Sequence, residues 1–247
     1  TGVTIVQTDP LSRSVVVRLE HKTLFTRLLA LPEVIFADIK AKAVPETNII
    51  GYDRSFHGIN ALDYLVPGAN GQSIVAGVKE QKMESADLDL YKRVSNSSLA
   101  SATVSNHATV IASIIGGSGN SFYDGRGMAW GCLFFPSSFD NLFADDAAVL
   151  NTAGVSVQNH SYSTVVQSFY GAEALSYDAH ARSQHKFLHV FSAGNRGTAA
   201  ASDGRYAGIS GYANLTGNFK AAKNIITVAA MDNKEVVPAE SSAGPLY

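Results

Sequence analysis

The sequence predicts an α/β fold: a doubly wound parallel sheet, with a small N-terminal α/β lobe ahead of it. Three observations lead there. Apolar runs without clean alternation, such as SIVAGV at 73–78, read as strands buried on both faces. Helical stretches separate these runs, and alternating β and α implies parallel strands joined by right-handed crossovers. The first forty-odd residues follow another pattern, in which short β-branched strands flank one helix. With 247 residues, 46% of them hydrophobic, the chain can bury a large core, so disorder is excluded as its main state.

Residues 3–7 (VTIVQ) and 14–19 (SVVVRL) read as strands around a turn at Asp9-Pro10. Val15, Val17 and Leu19 alternate with Arg18 and Glu20, which predicts one packed and one exposed face. Over residues 22–31, Leu24 with Leu28 and Phe25 with Leu29 stand at helical spacing, and Pro32 stops the helix. EVIFADI at 33–39 reads as a third strand. Residues 1–43 are therefore expected to form a lobe, 44–71 a loop-like linker with Pro45, Gly51, Pro67 and Gly68, and 72–247 the main domain. Within that domain the strand at 73–78 is followed by a possible strand near 90–94 and a helix at 107–115. Further strands are expected at 131–135, 154–158, 187–192 and 225–230, with helices at 144–152 and 171–185. The helix at 107–115 shows a stripe of Val110, Ile111, Ile114 and Ile115; the one at 171–185 shows Ala172, Leu175 and Ala179.

Charge and cysteine content exclude several functions. Charged residues are 16% of the chain and the net charge is -2, so no basic surface for nucleic-acid phosphates is implied. Cys132 is the only cysteine, which rules out an internal disulfide and a cysteine-based zinc site. No apolar run approaches the length of a membrane span. The start, Thr1-Gly2-Val3-Thr4, has neither an initiating Met nor a basic leader, so an excerpt of a longer precursor is expected. No D-x-[DN]-x-[DN]-G calcium loop occurs. Gly116-Gly117-Ser118-Gly119 follows a helix instead of opening one, which argues against a nucleotide-binding loop.

In an open parallel sheet, ligands sit beyond the carboxyl ends of the strands. Glu80 follows the strand at 73–78, His107 opens a helix at the same edge, and Asn195 follows the strand at 187–192 within SAGNRG. Singly, each has an ordinary reading: a solvated strand end, a helix-start residue, a turn former. Together, a carboxylate, an imidazole and a carboxamide suit hydrolytic acyl transfer. The acid orients the base, and the amide stabilises an oxyanion. Asp87 and Asp89 are competing acids.

The ordered segments resemble the subtilisin-like serine proteases. GQSIVAGVKE at 71–80 resembles the strand that leads to the family's catalytic acid, and HATVIASIIGG at 107–117 resembles its catalytic-histidine helix. GMAWGCL at 127–133, NHSYS at 159–163 and SAGNRG at 192–197 follow in the family's order, as do IITVAAMD at 225–232 and SSAGP at 241–245. The resemblance implies catalytic roles for Glu80, His107 and the oxyanion-hole Asn195. It implies substrate contact at Ser161, Tyr162, Ser163, Ala193 and Gly194, with 159–163 as an exposed edge accepting an extended peptide. It implies a protein or peptide substrate, a secreted or cell-surface location, no cofactor, and a structural calcium in many members. Residues 1–43 resemble the second half of the family's inhibitory propeptide.

Three departures stand out. Glu80-Gln81-Lys82 replaces the family's D-[ST]-G turn. Ala108 and Val110 replace the family's Gly and second His. No Gly-Thr-Ser segment, the family's source of the nucleophile, occurs in residues 1–247, nor does a Gly-x-Ser-x-Gly elbow. The expected activity is therefore that of a serine endopeptidase whose nucleophile lies outside these residues. The alternative is a pseudo-protease that binds a peptide or partner without cleaving it.

Overall fold

A computed structural model describes residues 2–46 and 53–245. Strands β1 (Val3–Asp9) and β2 (Ser14–Leu19) form an antiparallel hairpin apart from the main sheet. Its turn is closed by the Asp9 carboxylate, which accepts hydrogen bonds from the Ser12 N–H and hydroxyl. Helix α1 (Thr23–Leu29) follows, with no buried residue. The expected alternation along β2 is only partly realised: Val15 is exposed, while Val17 and Leu19 are half-buried. Residues 33–39 are not a strand. They pair with neither β1 nor β2, and β propensity without a partner ladder stabilises nothing.

The stretch read as a linker holds two elements. Strand β3 (Val44–Pro45) pairs outside the hairpin, and α2 (Ile59–Leu65) lies before the main sheet. The main sheet comprises β4 (Val75–Glu80), β5 (Leu133–Ser138), β6 (Val155–His160), β8 (Leu188–Ser192) and β9 (Ile226–Val228). All pair in parallel, in the order β5-β4-β6-β8-β9. The short β7 (Tyr162–Ser163) follows β6. The possible strand near 90–94 amounts to a single bridge between Val94 and Phe134.

Alternate side chains of the sheet enter two layers. Ala76, Val78 and Phe134 pack under α3 (Asn106–Gly116). Phe135 and Val155 pack with Leu150 of α4 (Ala147–Thr152) on the other side. The face α3 buries is not the expected aliphatic stripe. Ala108, Ala112 and Gly116 form its fully buried seam, Ile111 and Ile115 flank it, and Val110 is exposed. A Cβ on Gly116 would stand 2.5 Å from the Cys132 sulfur, so small residues here allow the close approach. Helix α5 (Ala172–Ser183) also turns another face inward: Ala174, Ser176, Tyr177, Asp178 and His180, with Leu175 exposed. Those polar groups are bonded. Asp178 accepts from the Lys223 and Asn224 N–H groups, and Ser176 from that of Ala144. Among the described residues, no helix is long and apolar enough to cross a membrane.

Candidate active site

Parallel pairing delivers the chain to one edge repeatedly. Glu80 ends β4 opposite Ser138, and Val78 pairs with Asn159, so residues 159–161 leave β6 beside Glu80. The same edge receives the start of α3. Lys82 accepts from the Ser105 N–H and donates its own to Thr103, pinning residues 103–105 next to the end of β4. His107 is the second residue of that helix.

Glu80 and His107 meet. Glu80 Oε2 lies 3.5 Å from His107 Nδ1, and Glu80 Oε1 accepts from the Ser161 N–H at 3.1 Å. Neither Oε2 nor Nδ1 has another hydrogen-bond partner among the described residues. The distance fits an ion pair and exceeds the 2.6–3.2 Å or so of a working catalytic hydrogen bond. Burial raises the Glu80 pKa, against the opposing pull of His107 and the Ser161 N–H. For His107, burial disfavours the charged ring, but the Glu80 carboxylate and the Glu46 carbonyl outweigh it, and the net shift is upward. Asp87 and Asp89 are spent elsewhere: Asp89 accepts from Asn120 and Ser121, and Asp87 from the Asp89 N–H.

The second ring nitrogen of His107 is capped. Nε2 lies 2.6 Å from the Glu46 carbonyl oxygen. A carbonyl only accepts, so Nε2 carries the proton in this arrangement. Glu46 reaches it because β3 lies antiparallel on β7, with Val44 opposite Ser163 and Pro45 opposite Tyr162. The Glu46 N–H then donates to the Ser161 carbonyl at 3.2 Å. The edge at 159–163, expected to be open, is thus occupied by residues of the same chain. Ser161 and Ser163 flank Tyr162, whose ring is fully buried and whose hydroxyl meets that of Tyr177 at 3.2 Å.

Ala193, Gly194 and Asn195 leave β8 at the same edge. The Ala193 N–H donates to the Val228 carbonyl at 2.8 Å. Gly194 has φ +123, and a Cβ there would stand 2.2 Å from Thr216 Oγ1, so only glycine fits. Ser242 holds the turn, donating its N–H to the Gly194 carbonyl and accepting from that of Arg196. Asn195 lines a cavity of about 300 Å³ together with Asn159, Ser161 and Ser192. No hydrogen bond joins Asn195 to Glu80 or His107 among the described residues. Among those residues, no serine hydroxyl bonds either ring nitrogen of His107.

Three residues at the site escaped the sequence reading: Glu46, Thr216 and Lys220. The Glu46 carboxylate accepts from Lys220 Nζ and Thr216 Oγ1, each at 2.8 Å. Glu46 lies in a stretch that reads as a loop, and Lys220 is 174 positions away, where a charge reads as solvated surface. No periodicity or motif marks either residue.

Comparison with known proteins fits this geometry. Several solved structures share the fold. The prenylagaramide maturation protease PagA matches with a TM-score of 0.56 at 17% identity, over 76% of this chain and 64% of its own. The self-cleaved protease domain of PatA matches at 0.51 and 21%, over 71% and 64%. MycP1 with its N-terminal propeptide removed matches at 0.52 and 16%, over 77% and 67%. At these identities the likeness is one of fold, and the chain spans less than two thirds of the length of PagA and of the PatA domain. No curated protein matches. The sequence profile of the subtilase family, peptidase S8, matches residues 77–247, more than half of the chain, and the chain therefore belongs to that family.

Proposed function

We propose that this chain supplies the acid, the base and the substrate cleft of a serine endopeptidase, with a nucleophile from outside residues 1–247. One observation carries the reading. An extended segment lies antiparallel on the 161–163 edge, and its last carbonyl stands 2.6 Å from an imidazole whose other nitrogen faces a buried carboxylate. The segment thus lies along the cleft as the acyl side of a bound peptide would, with its backbone on the 161–163 edge and its end at the base. In the reaction, with the Glu46 carbonyl withdrawn and the neutral ring holding its proton on Nδ1 toward Glu80, His107 Nε2 takes the proton of an attacking serine hydroxyl, and Glu80 fixes the ring and stabilises the imidazolium. The Asn195 side chain donates to the oxyanion that forms on the substrate carbonyl. The Ser161 carbonyl holds the peptide backbone through the contact Glu46 now makes. Residues 44–46 must withdraw before a substrate enters. On this reading residues 1–43 act as a propeptide-like lobe that covers its own cleft, and the protein is secreted or displayed at the cell surface.

The pseudo-protease reading has support of its own: Glu80 and His107 stand 3.5 Å apart with their facing atoms otherwise unpartnered. An active-site fluorophosphonate separates the alternatives. Residues 1–247 alone should not be labelled, whereas a longer product of the same gene that contains the serine should be. Labelling of the 247-residue chain that His107→Ala abolishes would show a nucleophile inside it and overturn the proposal. Failure to label the longer product would leave the pseudo-protease.

A further inference from the structure

The side chain of Glu46 turns inward from the cleft. It is 5% exposed, and it ends on Lys220, which is wholly buried. The Glu46 Oε1 atom accepts from Lys220 Nζ and from Thr216 Oγ1, both at 2.8 Å. Lys220 Nζ also donates to Thr216 Oγ1 at 2.8 Å and contacts Ser192 Oγ at 3.5 Å. Lys220 comes from a tight turn, Asn218–Ala221, that follows the left-handed Gly217. Burial lowers its pKa, and the Glu46 carboxylate works against that shift. Among the described residues, no other carboxylate pairs with this ammonium.

The position of Glu46 gives the pocket a meaning. Its carbonyl is the one at His107 Nε2, so in the endopeptidase reading it occupies the place of the residue that donates the acyl group. The pocket that receives its side chain decides which residue can stand there. A fixed, dry ammonium at the bottom favours a carboxylate, because any other side chain leaves a buried cation unpaired. Pocket depth matches glutamate, whose carboxylate reaches both Nζ and Oγ1. Three residues earlier, Ala43 is buried against Phe139, Leu142 and Tyr162, a shallow apolar place that accepts a small side chain.

We propose that the cleft is selective for peptides with glutamate at the position whose carbonyl faces His107, and that Lys220, assisted by Thr216, is the specificity-determining residue. The inference rests on the endopeptidase reading of the site, but it concerns recognition and needs no nucleophile. A purely structural ion pair, which ties the N-terminal segment to the body, is the competing account. It predicts no discrimination among added peptides.

The test is peptide binding. In a Glu46→Lys variant of the 247-residue chain, two like charges meet at Lys220, and the cleft opens to added ligand. Fluorescein-labelled Lys-Ala-Lys-Ala-Val-Pro-Glu amide, the sequence of residues 40–46, is compared by anisotropy with versions ending in Gln, Leu and Lys. Binding of the Glu peptide should exceed that of Gln and Leu by roughly 10²-fold, a ratio expected when a buried polar group loses its partner. Lys220→Met, made in the same background, should abolish the preference, and Lys220→Glu, made with Glu46 kept so that two carboxylates meet, should transfer it to the Lys peptide. If the variants do not fold, the unaltered chain serves. The peptides then displace residues 44–46, read as faster exchange of the Glu46 amide, and should rank in the same order. Glu and Gln peptides binding within twofold, a preference that survives Lys220→Met, or no binding by any peptide would overturn the proposal. None of these results touches the fluorophosphonate experiment, which reads the nucleophile and not the pocket.

Discussion

At the scale of the residue, Glu80 and His107 are a coupled pair, and the coupling has a measurable sign. Burial alone lowers a histidine pKa; that of His107 is raised because a carboxylate faces Nδ1 and a carbonyl faces Nε2. Glu80→Gln keeps the size and an acceptor for the Ser161 N–H but removes the charge. The His107 ring, followed by NMR, should titrate above the ordinary value of about 6.5 in the natural chain. In the variant it should titrate lower. An unchanged midpoint would show that Glu80 does not act on the ring. The linkage follows: a raised histidine pKa contributes stability that is complete below the unfolded value and is lost as pH rises through the folded one. That Glu80, His107 and Asn195 gather at one sheet edge was legible because parallel-strand ends and helix starts share that edge; the roles proposed for them rest on their order in a family pattern. Glu46, Thr216 and Lys220 were not, because a buried ion pair between distant loops leaves no local trace. Glu80 stands where the family pattern has Asp, one methylene shorter. The longer acid does reach the histidine, at the ion-pair distance of 3.5 Å.

At the scale of the element, the interior between α5, β6 and β8 is polar in a way no hydrophobic pattern reveals. His160 Nε2 lies 3.0 Å from His189 Nδ1, and His189 Nε2 lies 3.0 Å from His180 Nδ1. The other nitrogen of His160 meets the Tyr162 hydroxyl at 3.3 Å, and its ring stacks on Phe191 at 3.9 Å. Each N···N contact shares one proton, so a second would set two N–H groups face to face. Burial lowers the pKa of all three rings, and for His160 and His189 the neighbouring histidine adds to it. A depressed histidine pKa means that the unfolded chain binds a proton the folded chain refuses. Stability therefore falls as pH drops below about 6.5, by up to about 1.4 kcal/mol per pH unit for each ring. This opposes the contributions of His107 and Glu80, whose raised values favour the folded chain as pH falls, and outnumbers them three to two. The urea midpoint should drop between pH 7 and pH 5; a flat or rising midpoint would refute the neutral chain. The same interior explains why α5 was misjudged. Its existence and length were readable, but its buried face carries Ser176, Asp178 and His180, whose partners come from three other segments. The seam of α3 was misjudged for the opposite reason: small residues that let helix and sheet approach closely carry little weight in a hydrophobic pattern.

At the scale of the whole molecule, residues 2–46 hold to the sheet body at few points. Gln7 donates to Asn141 at 2.6 Å, Asp38 accepts from Gln167 at 3.4 Å, the Phe36 and Phe169 rings lie 6.0 Å apart, Leu11 touches a core cluster, and residues 43–46 enter the cleft. Much of the apolar surface of this unit faces outward, with Ile35 97% and Ile39 83% exposed, so burial outside the cleft adds little to its attachment. The parallel sheet, and a hairpin ahead of it that stays out of its ladder, were readable, because a switch from short strands to long apolar runs reports a change of pairing. The route by which the two connect was not, because β3 is two residues long and pairs 119 positions away, Val44 with Ser163. If the cleft is the main anchor, one charge should loosen the whole unit. Glu46→Lys sets a cation against buried Lys220 and breaks a pair whose loss typically costs about 3–5 kcal/mol. Amide exchange should then quicken across residues 2–46, and above all at Glu46, while β4, β5 and β6 keep their protection because none of their ladder bonds involves the segment. Equal acceleration in β4–β6 would mean that the pair supports the core itself, and unchanged exchange in residues 2–46 would mean that the hairpin contacts alone hold the unit in place.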